Sequence, residues 1–217
     1  MIDPESYFRN KGSIEIERKA LNIDRVMLET RLISTGCIKL FSGTATSEYY
    51  YSDPTEIYGP LFALRILSGG LFILGDGTPT THWIRLRTME DKNGTKIYSI
   101  ETKYPIMESE KKFETGRIVT SEEIEDIRTV YQVNSRAIKL KQTEVKYRDV
   151  FVIADGESYV PGIEFDIDEI TNPIKIEPYL EIEVDKAELL NRTIEISGIP
   201  KEFFIRISSR KIIETRL

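Results

Sequence analysis

The stretch Ile14-Glu15-Ile16-Glu17-Arg18-Lys19 constrains this chain more than any other. Its period of two reads as a strand, with Glu15, Glu17 and Lys19 on one face and Ile14 and Ile16 on the other. The same alternation returns five times downstream. Arg85 and Arg87 flank Leu86, and Glu101 and Lys103 flank Thr102. Val145 and Tyr147 separate Glu144, Lys146 and Arg148. Phe165 and Ile167 separate Glu164, Asp166 and Asp168, and Ile182 and Val184 separate Glu181, Glu183 and Asp185. One such strand is ordinarily a sheet face left in water. Six of them, with acids and bases segregated by strand, predict the reverse: apolar faces turned outward under helices and charged faces turned into a barrel.

Unpaired ions in a dry barrel cost several kcal/mol each, so the interior is expected to be wet or filled by a charged ligand. Arginine and lysine match phosphate oxygens, arginine in bidentate fashion. Clustered carboxylates without His or Cys suit a hard cation such as Mg²⁺ or Mn²⁺. Bases on one wall and acids on another describe a site for a metal-bound polyphosphate.

Composition narrows the alternatives. A length of 217 residues, 40% of them hydrophobic, predicts one large domain, or a domain with a small appendage, with a real core. The net charge of -6 argues against broad nucleic-acid binding but permits a local basic pocket. The single cysteine, Cys37, excludes an intrachain disulfide and reads as buried filler. The single histidine, His82, makes a Cys/His zinc site untenable and reads as a rim residue. No apolar run approaches the roughly 20 residues needed to span a bilayer, and the N-terminal acids do not look like a signal peptide. A cytoplasmic protein is expected.

Along the chain, residues 1–13 read as a polar leader. Asn22 is placed as the cap of a helix over about 23 to 35, with Ile23, Val26, Met27, Thr30 and Ile33 on its apolar stripe and Gly36 stopping it. Strands are expected at 37–51, 83–89, 96–104, 139–154, 160–170, 179–185, 192–197 and 202–208. Residues 55–82 break into short apolar pieces, 61–67 and 71–74, read as a hairpin. Thr120 with Glu123 forms a capping box for a second helix over about 121 to 138, with Ile124, Ile127 and Val130 or Tyr131 inward. Asp155-Gly156 is a hairpin turn. Many strands with two helices predict an α+β fold built on an antiparallel barrel.

At this point the ordered set resembles a known family. Glu15-x-Glu17-x-Lys19 resembles the E-x-E-x-K signature of the CYTH superfamily, the triphosphate tunnel metalloenzymes. Arg85-Leu86-Arg87 is similar to its arginine strand, and Lys103 to its tunnel lysine. Lys146-x-Arg148 resembles its K-x-R strand, Asp168-Glu169 its D-E, and Glu181-Ile182-Glu183 its closing E-x-E. Tyr50-Tyr51-Ser52-Asp53-Pro54 resembles an aromatic turn before the arginine strand. The resemblance implies an eight-stranded antiparallel β-barrel tunnel with a charged interior, covered by a few helices, over 14–185. Residues 186–217 are then a C-terminal strand or tail extension of the same domain.

It further implies a triphosphatase using Mg²⁺ or Mn²⁺ on the terminal phosphoanhydride of inorganic triphosphate, ATP, thiamine triphosphate or an RNA 5′-triphosphate end. Lys19, Arg85, Arg87, Lys103, Lys146 and Arg148 would grip phosphate oxygens. Glu15, Glu17, Glu181 and Glu183 would hold metal with Asp168, and either Asp166 or Asp168 can take the family's aspartate position. The catalytic set is Glu15, Glu17, Lys19, Arg85, Arg87 and Glu183. The alternatives are a CYTH-type adenylate cyclase and a non-catalytic polyphosphate binder. Paired E-x-E strands speak against the last, since an anion binder gains nothing from facing acids. The segment 55–82 is longer than the family's turn, and the tail after 185 matches no family pattern. Tyr49 to Tyr51 read as strand packing, and Arg206-x-Ser208-x-Arg210 as either a further basic wall or a protected edge.

Overall fold

A computed structural model describes residues 14–52, 83–105, 112–133, 135 and 138–216. The expected leader, the hairpin at 55–82 and His82 lie outside the described residues. The first strand, β1 (Ile14–Ala20), is followed by helix α1 (Arg25–Ser34). Strands β2 (Cys37–Ser52), β3 (Trp83–Asp91), β4 (Lys96–Pro105) and β5 (Lys112–Val119) lead to helix α2 (Ser121–Val133). Then come β6 (Ile138–Asp155), β7 (Ser158–Tyr159), β8 (Ile163–Asn172) and β9 (Ile176–Val184). The chain ends with helix α3 (Ala187–Ser197), a 3₁₀ turn (Lys201–Phe203), β10 (Phe204–Ile205) and helix α4 (Ser209–Glu214).

The strands form one antiparallel sheet in the order β10-β1-β5-β4-β3-β2-β6-β8-β9, with β7 hanging on β6. Among the described residues there are ten strands rather than eight, because β7 and β10 are two-residue additions at the hairpin and beside β1. β1 also pairs β9, from Ile16↔Val184 to Ala20↔Leu180. Its pairing with β5 is two residue pairs long, Ile14↔Phe113 and Glu15↔Lys112. Among the described residues, therefore, backbone pairing does not zip the sheet into a complete barrel. Gly43 sits where β2 and β3 come very close: a Cβ there would lie 2.0 Å from the Glu90 carbonyl oxygen.

The apolar alternation packs outward, as expected. Ile16, Phe165, Ile167, Leu180 and Ile182 are buried under Leu28 and Leu32 of α1 and Ile194 of α3. Tyr50, Ile84, Leu86 and Ile100 are buried under Ile124, Ile127 and Tyr131 of α2. The capping box holds: Glu123 N donates to Thr120 Oγ1 at 3.1 Å, and Thr120 N donates to Glu123 Oε2 at 2.7 Å. The turn after Asp155 also holds, with Asp155 opposite Ser158.

Several expectations are corrected. The cap of α1 is Asp24, whose side chain accepts from Met27 N, whereas Asn22 adopts a left-handed φ of 55°. The buried stripe of α1 is Leu28 and Leu32, and Val26, Met27 and Ile33 are exposed. α2 ends at Val133 rather than near 138. Residues 192–197 belong to helix α3, which buries Thr193, Ile194 and Ser197 and ends at Gly198 with φ 72°. The strand expected at 202–208 shrinks to the two residues of β10, and β5 and α4 were not anticipated. Arg206 lies past β10 and is exposed, so Arg206-x-Ser208-x-Arg210 is not a strand face.

Candidate functional site

The strand register decides which charges meet. Glu17 stands opposite Glu183 and Lys19 opposite Glu181 across β1 and β9. Glu164 stands opposite Glu183 and Asp166 opposite Glu181 across β8 and β9. Arg148 stands opposite Asp168 across β6 and β8. On the other side, Ser47 faces Glu144 and Arg87, and Tyr49 faces Arg85. All of these side chains alternate with the outward apolar ones, so they share the inner face. Glu15, Glu17, Lys19, Arg87, Glu144, Lys146, Arg148, Glu164, Asp166, Asp168, Glu181 and Glu183 are buried.

One cavity, about 110 Å³, is lined by Glu17, Lys19, Arg85, Arg87, Lys146, Arg148, Glu181 and Glu183, together with Tyr49, Ser208 and Ser209. That volume holds several waters, which suits the expectation of a wet charged interior. The interior is not charged along its whole length. Beyond Arg148 the same face of β6 continues as Val150 and Val152, packed with Phe41, Ala45 and Met89.

Ion pairing inside is dense. Arg148 makes a bidentate pair with Asp168, Nε to Oδ1 and Nη2 to Oδ2, each 2.7 Å. Its Nη1 lies 2.6 Å from Asp166 Oδ2, and Lys146 Nζ donates to Asp168 Oδ2 at 2.8 Å. Lys19 bridges Glu181 and Glu17, the latter at 3.3 Å. Arg85 pairs with Glu101, which Arg87 approaches at 3.6 Å and Ser99 hydrogen-bonds at 2.6 Å. Gly116 makes room for that carboxylate: a Cβ there would lie 2.8 Å from the Glu101 side chain.

The two aspartates of β8 part company electrostatically. Burial alone raises the Asp168 carboxyl, but the Arg148 and Lys146 charges and the Arg148 hydrogen bond outweigh it and hold it at about 2. Burial drives Asp166 well above the ordinary carboxylate range; Arg148 opposes this, and Glu164, Glu183 and Asp168 reinforce it. Asp166 Oδ1 is buried and accepts no hydrogen bond. Burial, with the Asp168, Glu144 and Glu181 carboxylates, also raises the Tyr179 phenol, which donates to Ser209 Oγ at 3.2 Å.

The acids gather in overlapping groups. Glu15, Glu17, Glu181 and Glu183 each offer an oxygen within 4.8 Å of one another. Glu164, Asp166 and Glu183 form a second such group, and Asp166, Asp168 and Glu181 a third. Every donor is a carboxylate oxygen, a set that fits a hard divalent cation. The bare Asp166 oxygen is an acceptor such a cation would satisfy.

Of the residues picked from sequence, Glu15, Glu17, Lys19, Arg85, Arg87, Lys146, Arg148, Asp166, Asp168, Glu181 and Glu183 come together. Lys103 lies on β4 opposite Glu114, and its side chain lies outside the described ones. Glu101, Glu144 and Glu164 were visible in the alternation but not singled out as site residues. Tyr179 and Ser209 had no sequence signal, and Ser208 appeared only inside the Arg206-x-Ser208-x-Arg210 alternation, because the fold alone brings the C-terminal segment to the cavity.

No protein-family model and no curated protein sequence matches the chain. Solved structures do. A candidate adenylate cyclase from Vibrio parahaemolyticus superposes with a TM-score of 0.61 at 13% identity, covering 94% of this chain and 99% of that one. A Pyrococcus horikoshii protein gives 0.59 at 13% identity, over 89% and 96%. A candidate adenylyl cyclase of Hippeastrum with a dominant triphosphatase activity gives 0.53 at 13% identity, over 94% and 95%. The chain thus shares the fold of these solved structures, an antiparallel sheet with a few covering helices, consistent with the fold that its ordered motifs imply.

Proposed function

We propose that the sheet encloses a tunnel, the β1 seam completing it, and that the chain is a metal-dependent triphosphatase acting on the terminal phosphoanhydride of a small triphosphate. One observation carries this reading. Four carboxylates able to share a cation, Glu15, Glu17, Glu181 and Glu183, stand in the same interior as Arg85, Arg87, Lys146 and Arg148. The Hippeastrum protein, with its triphosphatase activity, has the same fold.

When bound, Mg²⁺ or Mn²⁺ would neutralise phosphate charge and lower the barrier to in-line displacement. The chain's own part is positional. Arg85, Arg87, Lys146 and Arg148 hold the phosphate oxygens, with Lys103 and Lys19 in the same role, and neutralise the leaving group as the phosphoanhydride breaks. Glu15, Glu17, Glu181 and Glu183, with Asp166 or Asp168, hold the cation, and a carboxylate orients the attacking water. Arg85 and Arg148 are already held by Glu101 and Asp168, so they are aimed before a substrate arrives.

A second reading follows from the Vibrio neighbour: a cyclase using the same walls, in which the ribose 3′-hydroxyl, losing its proton, attacks the α-phosphorus and diphosphate leaves. Product analysis on ATP with Mg²⁺, Mn²⁺ or EDTA separates the two. Orthophosphate and ADP are the expected products; diphosphate and cyclic AMP would overturn the triphosphatase reading in favour of the cyclase.

A further inference from the structure

The C-terminal segment adds a feature that the charged strands do not contain. Ile212 and Ile213 of α4 are buried against Ile170, Ile176 and Tyr179. This anchors α4 and brings Ser208 and Ser209 into the lining of the cavity that Arg85, Arg87, Lys146 and Arg148 also line. The two hydroxyls are engaged differently. Ser208 Oγ accepts from Lys211 N at 3.2 Å and serves the local turn. Ser209 Oγ accepts from the Tyr179 phenol, whose side chain is fully buried. A serine hydroxyl has one proton to give. With its oxygen receiving the phenol proton, Ser209 directs its own proton elsewhere, and the cavity lies beside it.

We propose that Ser209 contacts the substrate, donating a hydrogen bond to a phosphate oxygen of a linear triphosphate, and that Tyr179 is its positioning residue; this rests on the triphosphate reading above. Tyr179 does not line the cavity, so it acts through Ser209. A neutral donor on this wall adds direction where the lysines and arginines add charge. A compact linear triphosphate reaching from the basic wall to the C-terminal segment is the ligand that uses both.

The test is calorimetric binding of an imido-bridged, hydrolysis-resistant tripolyphosphate with Mn²⁺, which reads affinity without turnover. Ser209→Ala is expected to weaken binding about tenfold, the size of one hydrogen bond to a charged group. Tyr179→Phe keeps the ring against Ile212 and Ile213 and removes the phenol donor, and is expected to weaken binding by a smaller factor. The double variant is expected to match Ser209→Ala alone, because the tyrosine acts only through the serine. Thermal unfolding of each variant monitors the fold. Unchanged affinity in Ser209→Ala, or losses that multiply in the double variant, would overturn this inference and leave the triphosphate reading standing. Failure of the wild-type protein to bind the analogue would overturn both.

Discussion

Asp166 and Asp168 are two residues apart on one strand face and carry opposite electrostatic burdens. Asp168 accepts two hydrogen bonds from Arg148 and one from Lys146, and its carboxyl is held at about 2. A carboxyl depressed on folding stabilises the folded state above its unfolded value, and that contribution is lost as pH falls through the folded one. Asp166 is raised by burial, so it acts the other way: stability declines as pH rises through the ordinary carboxylate range. Asp166→Asn should therefore be at least as stable as the wild type at pH 7 in EDTA, with less of that decline between pH 4 and 7. Asp168→Ala should lose about 3 to 5 kcal/mol, because it takes from the buried Arg148 and Lys146 the carboxylate that both hydrogen-bond. Urea unfolding across that pH range checks both. An Asp166→Asn protein clearly weaker than the wild type at pH 7 would show that its charge is structurally needed. The sequence placed both aspartates on the inner face. It held nothing that told them apart, since the difference arises from neighbours that strand pairing supplies: Lys146 and the Arg148 hydrogen bonds at Asp168, and the Glu164 and Glu183 charges at Asp166.

At the scale of elements, legibility followed periodicity. Strands with a charged period of two were readable, from β1 to β9, because alternation states which side is inside. Helix α2 was readable from Thr120, Glu123 and its apolar spacing. Thr120→Ala should cost about 1 kcal/mol, and Glu123→Gln should cost a smaller amount that shrinks on acidification. Burial of Glu123 is slight, and the Thr120 backbone hydrogen bond depresses its carboxyl, so its share of the cap is present above the ordinary glutamate range and lost as pH falls. Chemical unfolding at pH 7 and at pH 3 measures this; an equal loss for Glu123→Gln at both would exclude a role for the Glu123 charge.

Helix α3 was misread because Thr193-Ile194-Glu195-Ile196 alternates like a strand. Its buried positions, Thr193, Ile194 and Ser197, are spaced for a helix packed on the sheet. Helix α1 presented two candidate stripes, and packing chose Leu28 and Leu32 over Val26, Met27 and Ile33. β5 was missed because Lys112 to Val119 carries a central glycine, Gly116, which faces Glu101 across β4.

The whole molecule turns an ordinary sheet inside out. Its helices α1, α2 and α3 cover apolar outer faces, and its charges look at one another across the interior. Among the described residues the buried acids outnumber the buried bases on that face, with Glu15, Glu17, Glu144, Glu164, Asp166, Asp168, Glu181 and Glu183 set against Lys19, Arg87, Lys146 and Arg148. Such an excess is expensive in an empty interior and would be offset by divalent cations held among these carboxylates. The ordered motifs made this plan visible in sequence. The apolar filling around Val150 and Val152 and the arrival of Ser209 at the cavity were not visible, because both depend on which strands and termini become neighbours.

The central claim is that these acids hold a metal for phosphoanhydride hydrolysis. The most direct measurement is orthophosphate release from inorganic triphosphate with Mg²⁺, Mn²⁺ or EDTA, for the wild-type protein and for Glu17→Gln. Metal-dependent release is predicted for the wild type and is predicted to be lost in Glu17→Gln, whose circular dichroism should be unchanged. Release by Glu17→Gln at the wild-type rate, or release undiminished by EDTA, would contradict it.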